Sequence, residues 1–132
     1  MKPGKPLIGV VGPCGAGKST LIAGLERHGY TCRHIAQEHS YVPDMWQRLS
    51  HPDLLIFLNA SYETTIRRRS LNWSEEEYQE QQRRLAHARA HADLIIETDT
   101  LSIEEVLQTA LRFLAGKRDR GPRTADGKDD GL

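Results

Sequence analysis

Residues 12–19, Gly12-Pro13-Cys14-Gly15-Ala16-Gly17-Lys18-Ser19, separate two stretches of different hydrophobic period. Before them, "LIGVV" (7–11) is a continuous apolar run bounded by Pro6 and Gly12. Such a run reads as a strand buried on both faces. After them, Leu21, Ile22 and Leu25 recur on one helical face, with Gly29 as the stop. A strand that passes through a glycine-rich turn directly into a helix is the start of a βα unit, and it commits the chain to an α/β fold.

The same alternation continues. "YTCRHIA" (30–36) is a second, weaker strand followed by the polar cluster "QEHS", and Pro43 opens a short helix through about Leu49. "DLLIFLN" (53–59) is apolar on both faces, as a parallel strand between helices must be. "SYETTIRRRS" (61–70) is a helix beginning at Ser61, with Arg67, Arg68 and Arg69 near its negative end. Ser74 and Glu77 form a capping signature that starts a long polar helix to about His91, with Tyr78, Leu85, Ala88 and Ala92 as its apolar contacts. "DLIIET" (93–98) reads as another buried strand. Ser102 and Glu105 cap a last helix bearing Ile103, Val106, Leu107, Ala110, Leu111 and Leu114, with Gly116 as its end. Residues 117–132 have no large apolar side chain until Leu132 and are expected to be a disordered tail. One domain over 1–116 is expected, in three α/β/α layers around a short, mainly parallel sheet of about four strands. Ligands of such sheets sit at the carboxyl ends of the strands. Only residues just after positions 11, 36, 59 and 97 can therefore share a site.

Composition removes several alternatives. The 18 basic and 18 acidic side chains cancel, so no global field argues for a nucleic-acid partner. No apolar run approaches the ~18 residues of a membrane span, and the opening apolar run is too short for a secretory signal. Cys14 and Cys32 have no metal-type or C-x-x-C spacing and read as free thiols in a reducing compartment. A soluble, cytoplasmic protein with no membrane partner is the expectation.

The stretch 12–19 also fits G-x-x-x-x-G-K-[ST] at every fixed position. A loop between strand and helix turns backbone N–H groups inward at the positive end of a helix, which suits a polyphosphate. Glycines at 12, 15 and 17 allow the close approach and positive φ that this requires. The expected phosphate ligands are Gly12, Gly15, Ala16, Gly17, Lys18, Ser19 and Thr20. Lys18 places its charge on the β- and γ-phosphates, and the Ser19 hydroxyl takes Mg²⁺. Lys18→Ala is expected to weaken triphosphate binding and leave the fold largely intact.

From Leu7 to about Leu114 the chain resembles the small nucleotide and metabolite kinases of the P-loop superfamily, the group that includes adenylate, shikimate and dephospho-coenzyme A kinases. "IGVVGPCGAGKST", "PDLLIFLNASYETTIRRR" and "HADLIIETDTLSIEEVLQTALRFL" carry the resemblance. It implies a P-loop NTPase fold, ATP and Mg²⁺ as cofactors, and γ-phosphoryl transfer to an unknown small-molecule acceptor. It also implies arginines over the phosphates: Arg67–Arg69, with Arg83 or Arg84. Those kinases usually have an acceptor-binding segment and a middle strand bearing a metal-ordering acid, whereas here only residues 37–52 fill that interval. Either those parts are missing, or the acceptor site is minimal or completed by another subunit. A nucleotide-binding sensor with little catalysis is the alternative. A GTPase is disfavoured, because no N-K-x-D or D-x-x-G segment follows a strand.

Glu38, at the correct end of the second strand, is the candidate to order the metal through water or to act as general base; the other reading is a solvated loop acid. Asp53 begins its strand at the wrong end, and Asn59 carries no charge. His39 either binds an acceptor phosphate or is idle, and Asp99 shapes a turn. Trp46 and Trp73 either stack on a ring or pack, while Cys14 sits where a helix start can make a thiol reactive. The candidate catalytic set is Lys18, Glu38, Arg67 and Arg68, with Ser19 and Glu38 on the metal.

Overall fold

The computed structural model describes residues 6–69 and 72–119. Among them are four strands, β1 (Leu7–Val11), β2 (Thr31–His34), β3 (Leu54–Asn59) and β4 (Leu94–Glu97). The helices are α1 (Lys18–Arg27), α2 (Met45–Ser50), α3 (Tyr62–Arg69), α4 (Glu75–His91) and α5 (Ile103–Asp119), and a single 3-10 turn spans Gln37–His39. All strand pairings are parallel, in the order β2-β1-β3-β4. The protein is thus α/β with a four-stranded parallel sheet.

The apolar runs end up where their composition requires. β1 and β3 are the inner strands, paired Ile8 with Leu54 and Val10 with Ile56, and their central residues are buried. Alternate side chains serve opposite faces. Ile8, Val10, Ile56 and Leu58 pack with Leu21 and Leu25 of α1 and with Leu107, Ala110 and Leu114 of α5. Val11, Leu55 and Phe57 pack on the other face with Trp46 of α2 and with Leu85 and Ala88 of α4. Full burial of each large apolar side chain contributes about 1.5–3 kcal/mol. The sheet is therefore held from both sides, giving three layers.

Several expectations change in detail. β4 is not buried on both faces: Ile96 is covered, but Ile95 is 41 % exposed. It is an edge strand, so its outer side has no neighbouring strand among the described residues. Gly116 does not end the last helix, which runs on to Asp119. Its position has open space around it, so a helical glycine there meets no steric demand, and Lys117 follows it in the last turn, where a cation suits the helix end. The expected disorder of the tail lies, for residues 120–132, outside the described residues. Pro43 stands in the turn before α2, whose first hydrogen bonds run from Gln47 and Arg48 to the Asp44 carbonyl. His51 then closes α2 in the left-handed region (φ 47°), just before Pro52, as an αL cap.

From β1 the chain moves outward to β2, then crosses back to lay β3 on the other side of β1. The carboxyl ends of β1 and β3 are hence a topological switch point, where open α/β sheets form crevices.

Candidate functional site

The loop after β1 occupies that switch point, and its backbone is tightly constrained. A Cβ at Gly12 would lie 2.1 Å from the Leu58 carbonyl oxygen, so β3 leaves room only for hydrogen there. Gly15, at φ 87°, is less tightly enclosed, with an added Cβ 3.0 Å from Thr65 of α3. Gly17 stands at the start of α1 with φ 101° and no side-chain cap. The first intrahelical bond runs from Leu21 N–H to the Gly17 carbonyl at 3.0 Å. The N–H groups of Lys18, Ser19 and Thr20 consequently precede the helical ladder and are open to an external acceptor. Two other loop donors are engaged within the protein. Cys14 N–H donates to Gln81 Oε1 (3.0 Å), and Ala16 N–H to the Pro13 carbonyl (3.2 Å). The Ala16 side chain is buried in the core, whereas Ser19 and Thr20 are exposed.

Lys18 turns back under this loop. Its Nζ donates to the carbonyls of Gly12 (2.7 Å) and Pro13 (3.0 Å) and lies 3.2 Å from Glu38 Oε2. Both side chains are almost wholly buried, at 6 % and 4 % exposure. Glu38 is thus no solvated loop acid. Its second oxygen, Oε1, is buried with no hydrogen-bond partner. Leaving such an oxygen unpaired is costly, and removing one member of a buried ion pair costs more still, because the other charge is stranded. That pair changes the expectation for Lys18→Ala, which leaves a buried carboxylate behind.

Glutamines hold the frame, and the motif reading does not name them. Gln37 Oε1 accepts from Trp46 N–H (2.7 Å), and its amide donates to the Val42 and Arg84 carbonyls. Those bonds fix the 37–39 turn that carries Glu38. Gln81 accepts from Cys14 N–H and donates to Cys14 Sγ (3.4 Å), tying α4 to the loop. Gln81 has a detectable signal in sequence. It falls three residues after Tyr78 and four before Leu85, a polar residue on an otherwise apolar helical stripe.

The arginines divide. Arg68 reaches the loop: it donates to Thr98 Oγ1 (2.9 Å) and the Thr98 carbonyl (2.6 Å), and its Nη1 stands 3.5 Å from the Ala16 carbonyl. Arg67 is exposed, and its hydrogen bond among the described residues is to Thr64 of its own helix, at 3.4 Å, because adjacent residues on a helix point in different directions. The Arg69 side chain lies outside the described residues. Arg83 pairs with Glu80, while Arg84 bonds Glu80 and the Glu38 carbonyl and covers the Tyr41 ring.

Around this centre the remaining candidates have structural roles. Asp53 accepts the Leu7 N–H at the far end of the sheet, as its position required. Asp99 accepts the Ser61 N–H (2.9 Å) at the entry to α3. Asn59 bonds Glu97 and Gln82. Trp46 is packed, with its Nε1 donating to His87, and Trp73 stands edge-on to Tyr78. His39 is exposed, with its Nε2 3.7 Å from Cys14 Sγ and 3.8 Å from Glu38 Oε2. His34 is held below the usual imidazole range by burial and then by the Lys18 ammonium, with Glu38 pulling the other way. The arrangement joins an ammonium, open helix-start amides, a buried carboxylate and a guanidinium at one strand end. The amides and the two cations of such a set can receive an anion, and the carboxylate opposes it. Compared with protein-family models and with curated proteins, the chain matches no family model and no curated protein.

Proposed function

We propose that this is an ATP-binding protein of the P-loop type, and a kinase that transfers the γ-phosphoryl group of ATP to a small molecule or nucleotide. The observation that carries the reading is the position of Lys18: a buried ammonium beneath a glycine-built loop, beside three open amides at the start of α1. In this reading Lys18 exchanges its carbonyl contacts for the β- and γ-phosphates, and the amides of α1 hold phosphate oxygens. Arg68, already against the Ala16 carbonyl, neutralises charge on the transferring group. Mg²⁺ suits the exposed Ser19 hydroxyl and the unpartnered Glu38 oxygen, both hard oxygen donors, and would offset charge between the phosphates. Glu38 either orders that ion or takes the acceptor's proton.

The test is equilibrium ATP binding, followed by ADP release over a panel of nucleosides, nucleotides and metabolites. Lys18→Ala should weaken ATP binding by at least about tenfold, a loss of some 1.4 kcal/mol. The Lys18→Ala/Glu38→Gln variant, which strands no buried charge, guards against misfolding. Unchanged affinity in both variants overturns the assignment.

A second reading, a nucleotide-binding sensor with little turnover, is favoured by one feature. β1 pairs directly with β2 and β3, so among the described residues no strand between β1 and its neighbours brings a further acid to the phosphates. ATP binding without ADP release across the whole panel would select it.

A further inference from the structure

One group of side chains at this strand end includes a thiol and an imidazole that the phosphate reading leaves unused. Cys14 Sγ, His39 Nε2 and a Glu38 carboxylate oxygen lie within 4.8 Å of one another. They come from two segments, the loop after β1 and the turn after β2, which the β1–β2 pairing sets side by side. Cys14 Sγ and Glu38 Oε2 are 3.7 Å and 3.8 Å from His39 Nε2. Thiolate, imidazole and carboxylate atoms held about 2.0–2.3 Å from a tetrahedral zinc ion stand about 3.3–3.6 Å apart. The two spacings from His39 differ from that by a few tenths of an ångström, the thiol and carboxylate lie within 4.8 Å of each other, and the exposed His39 ring is free to make up the difference.

The buried carboxylate supplies an independent sign. Glu38 Oε1 has no partner although the side chain is only 4 % exposed, a state that an ion gripped by both carboxylate oxygens would relieve. Ligand orientation is also provided for. Gln81 donates its amide to Cys14 Sγ while fixing Cys14 through its N–H, and Arg84 holds the Glu38 backbone. Outer hydrogen bonds of this kind align metal ligands. Sulfur and imidazole donors suit zinc and its neighbours rather than Mg²⁺.

We infer that Cys14, Glu38 and His39 form a three-ligand site for a soft divalent transition metal, Zn²⁺ above all, at the mouth of the loop. One thiolate and one carboxylate neutralise the ion, and Lys18 beside them adds a positive charge. The fourth position is accordingly fitted to an anionic oxygen, from hydroxide or phosphate. The site does not rest on the nucleotide reading, since its ligands meet with no nucleotide present, and with zinc bound Glu38 would serve that ion in place of Mg²⁺.

The experiment uses the full chain, stripped of metal and free of nucleotide. Zn²⁺ is titrated against a chromophoric chelator, and Co²⁺ binding is followed by absorption. The expected result is one ion per chain, with a thiolate-to-cobalt charge-transfer band. Cys14→Ser should abolish that band, and Cys14→Ser and His39→Ala should each weaken Zn²⁺ binding by at least about tenfold. Cys32→Ser is the control, its half-buried thiol being pushed up to about 11 by burial and by Glu26. The stacked His87 and His91 rings, 4.3 Å apart, are the competing location, removed by His87→Ala/His91→Ala. His39 is exposed, so His39→Ala keeps the fold, as circular dichroism will verify. Absence of the charge-transfer band in the unaltered protein overturns the assignment. So does Zn²⁺ affinity that survives Cys14→Ser and His39→Ala, or that disappears with His87 and His91.

Discussion

The contact between Lys18 and Glu38 is the most consequential side-chain pair in the molecule, because it is both buried and placed at the loop. Taking two charges out of water costs several kcal/mol each, and the close approach returns that only while both partners are present. Lys18→Ala is therefore expected to lower stability by about 3–5 kcal/mol, and Lys18→Ala/Glu38→Gln by much less. Urea denaturation of the two variants measures the difference, and equal losses would show that the pair is energetically inert. Asp99 offers a second residue-level test. Burial pushes its carboxyl up, but bonds from the Ser61 N–H and hydroxyl and from Thr64, with the Arg68 charge, outweigh burial and hold it below the ordinary 3.8. The unfolded chain thus takes up this proton before the folded one does. The carboxylate's contribution is complete above pH 3.8 and is lost as pH falls through the lowered native value. Asp99→Ala should cost about 1 kcal/mol near neutrality, the usual loss for a group accepting an N–H at a helix entry. That gap should narrow in denaturation curves taken below pH 3.8, and a gap constant with pH would refute the linkage.

At the scale of elements, α5 makes the sharpest test, since its glycine is a stop by rule and interior in fact. A Cβ at Gly116 would meet nothing within 4 Å, and the helix continues to Asp119. Gly116→Ala should hence stabilise the protein by about 0.5–1 kcal/mol, read as a rise in denaturation midpoint. A loss would mean that the helix does end there. The elements themselves were largely legible from sequence. Continuous apolar runs marked β1 and β3 because both faces are covered, and the Ser74–Glu77 and Ser102–Glu105 boxes marked the starts of α4 and α5, where both are formed. What escaped was whatever depends on neighbours distant in sequence. Edge exposure at Ile95 follows from strand order, which periodicity does not encode. Gly116 looked like a stop because a glycine says nothing about whether the residues after it continue the helix. At the site, the glycine-built turn from β1 into α1 was readable because its backbone geometry is local. The burial of Glu38, the choice of Arg68 over Arg67, and the grip of Gln37 and Gln81 arise between segments, and local pattern leaves them open.

On the scale of the whole molecule, the parallel sheet gathers these parts at one end and puts structural capping at the other. The loop after β1, the turn after β2, Arg68 on α3 and Thr98 after β4 meet at the carboxyl ends, while Asp53 ties β3 to Leu7 at the opposite end of the strands. A polyphosphate seated there would touch segments from almost every crossover, so its binding energy should be felt as global stability. If ATP binds only the folded state, ATP with Mg²⁺ at a hundredfold its dissociation constant should add about 2.7 kcal/mol. The same addition should do little for Lys18→Ala/Glu38→Gln. Hydrogen exchange locates the effect: protection should rise in the loop, in the first turn of α1 and around residues 37–39, and remain unchanged near Leu7 and Asp53. Equal stabilisation of the variant, or protection confined to the Asp53 end, would place the ligand elsewhere and remove the basis for a phosphate site at the switch point.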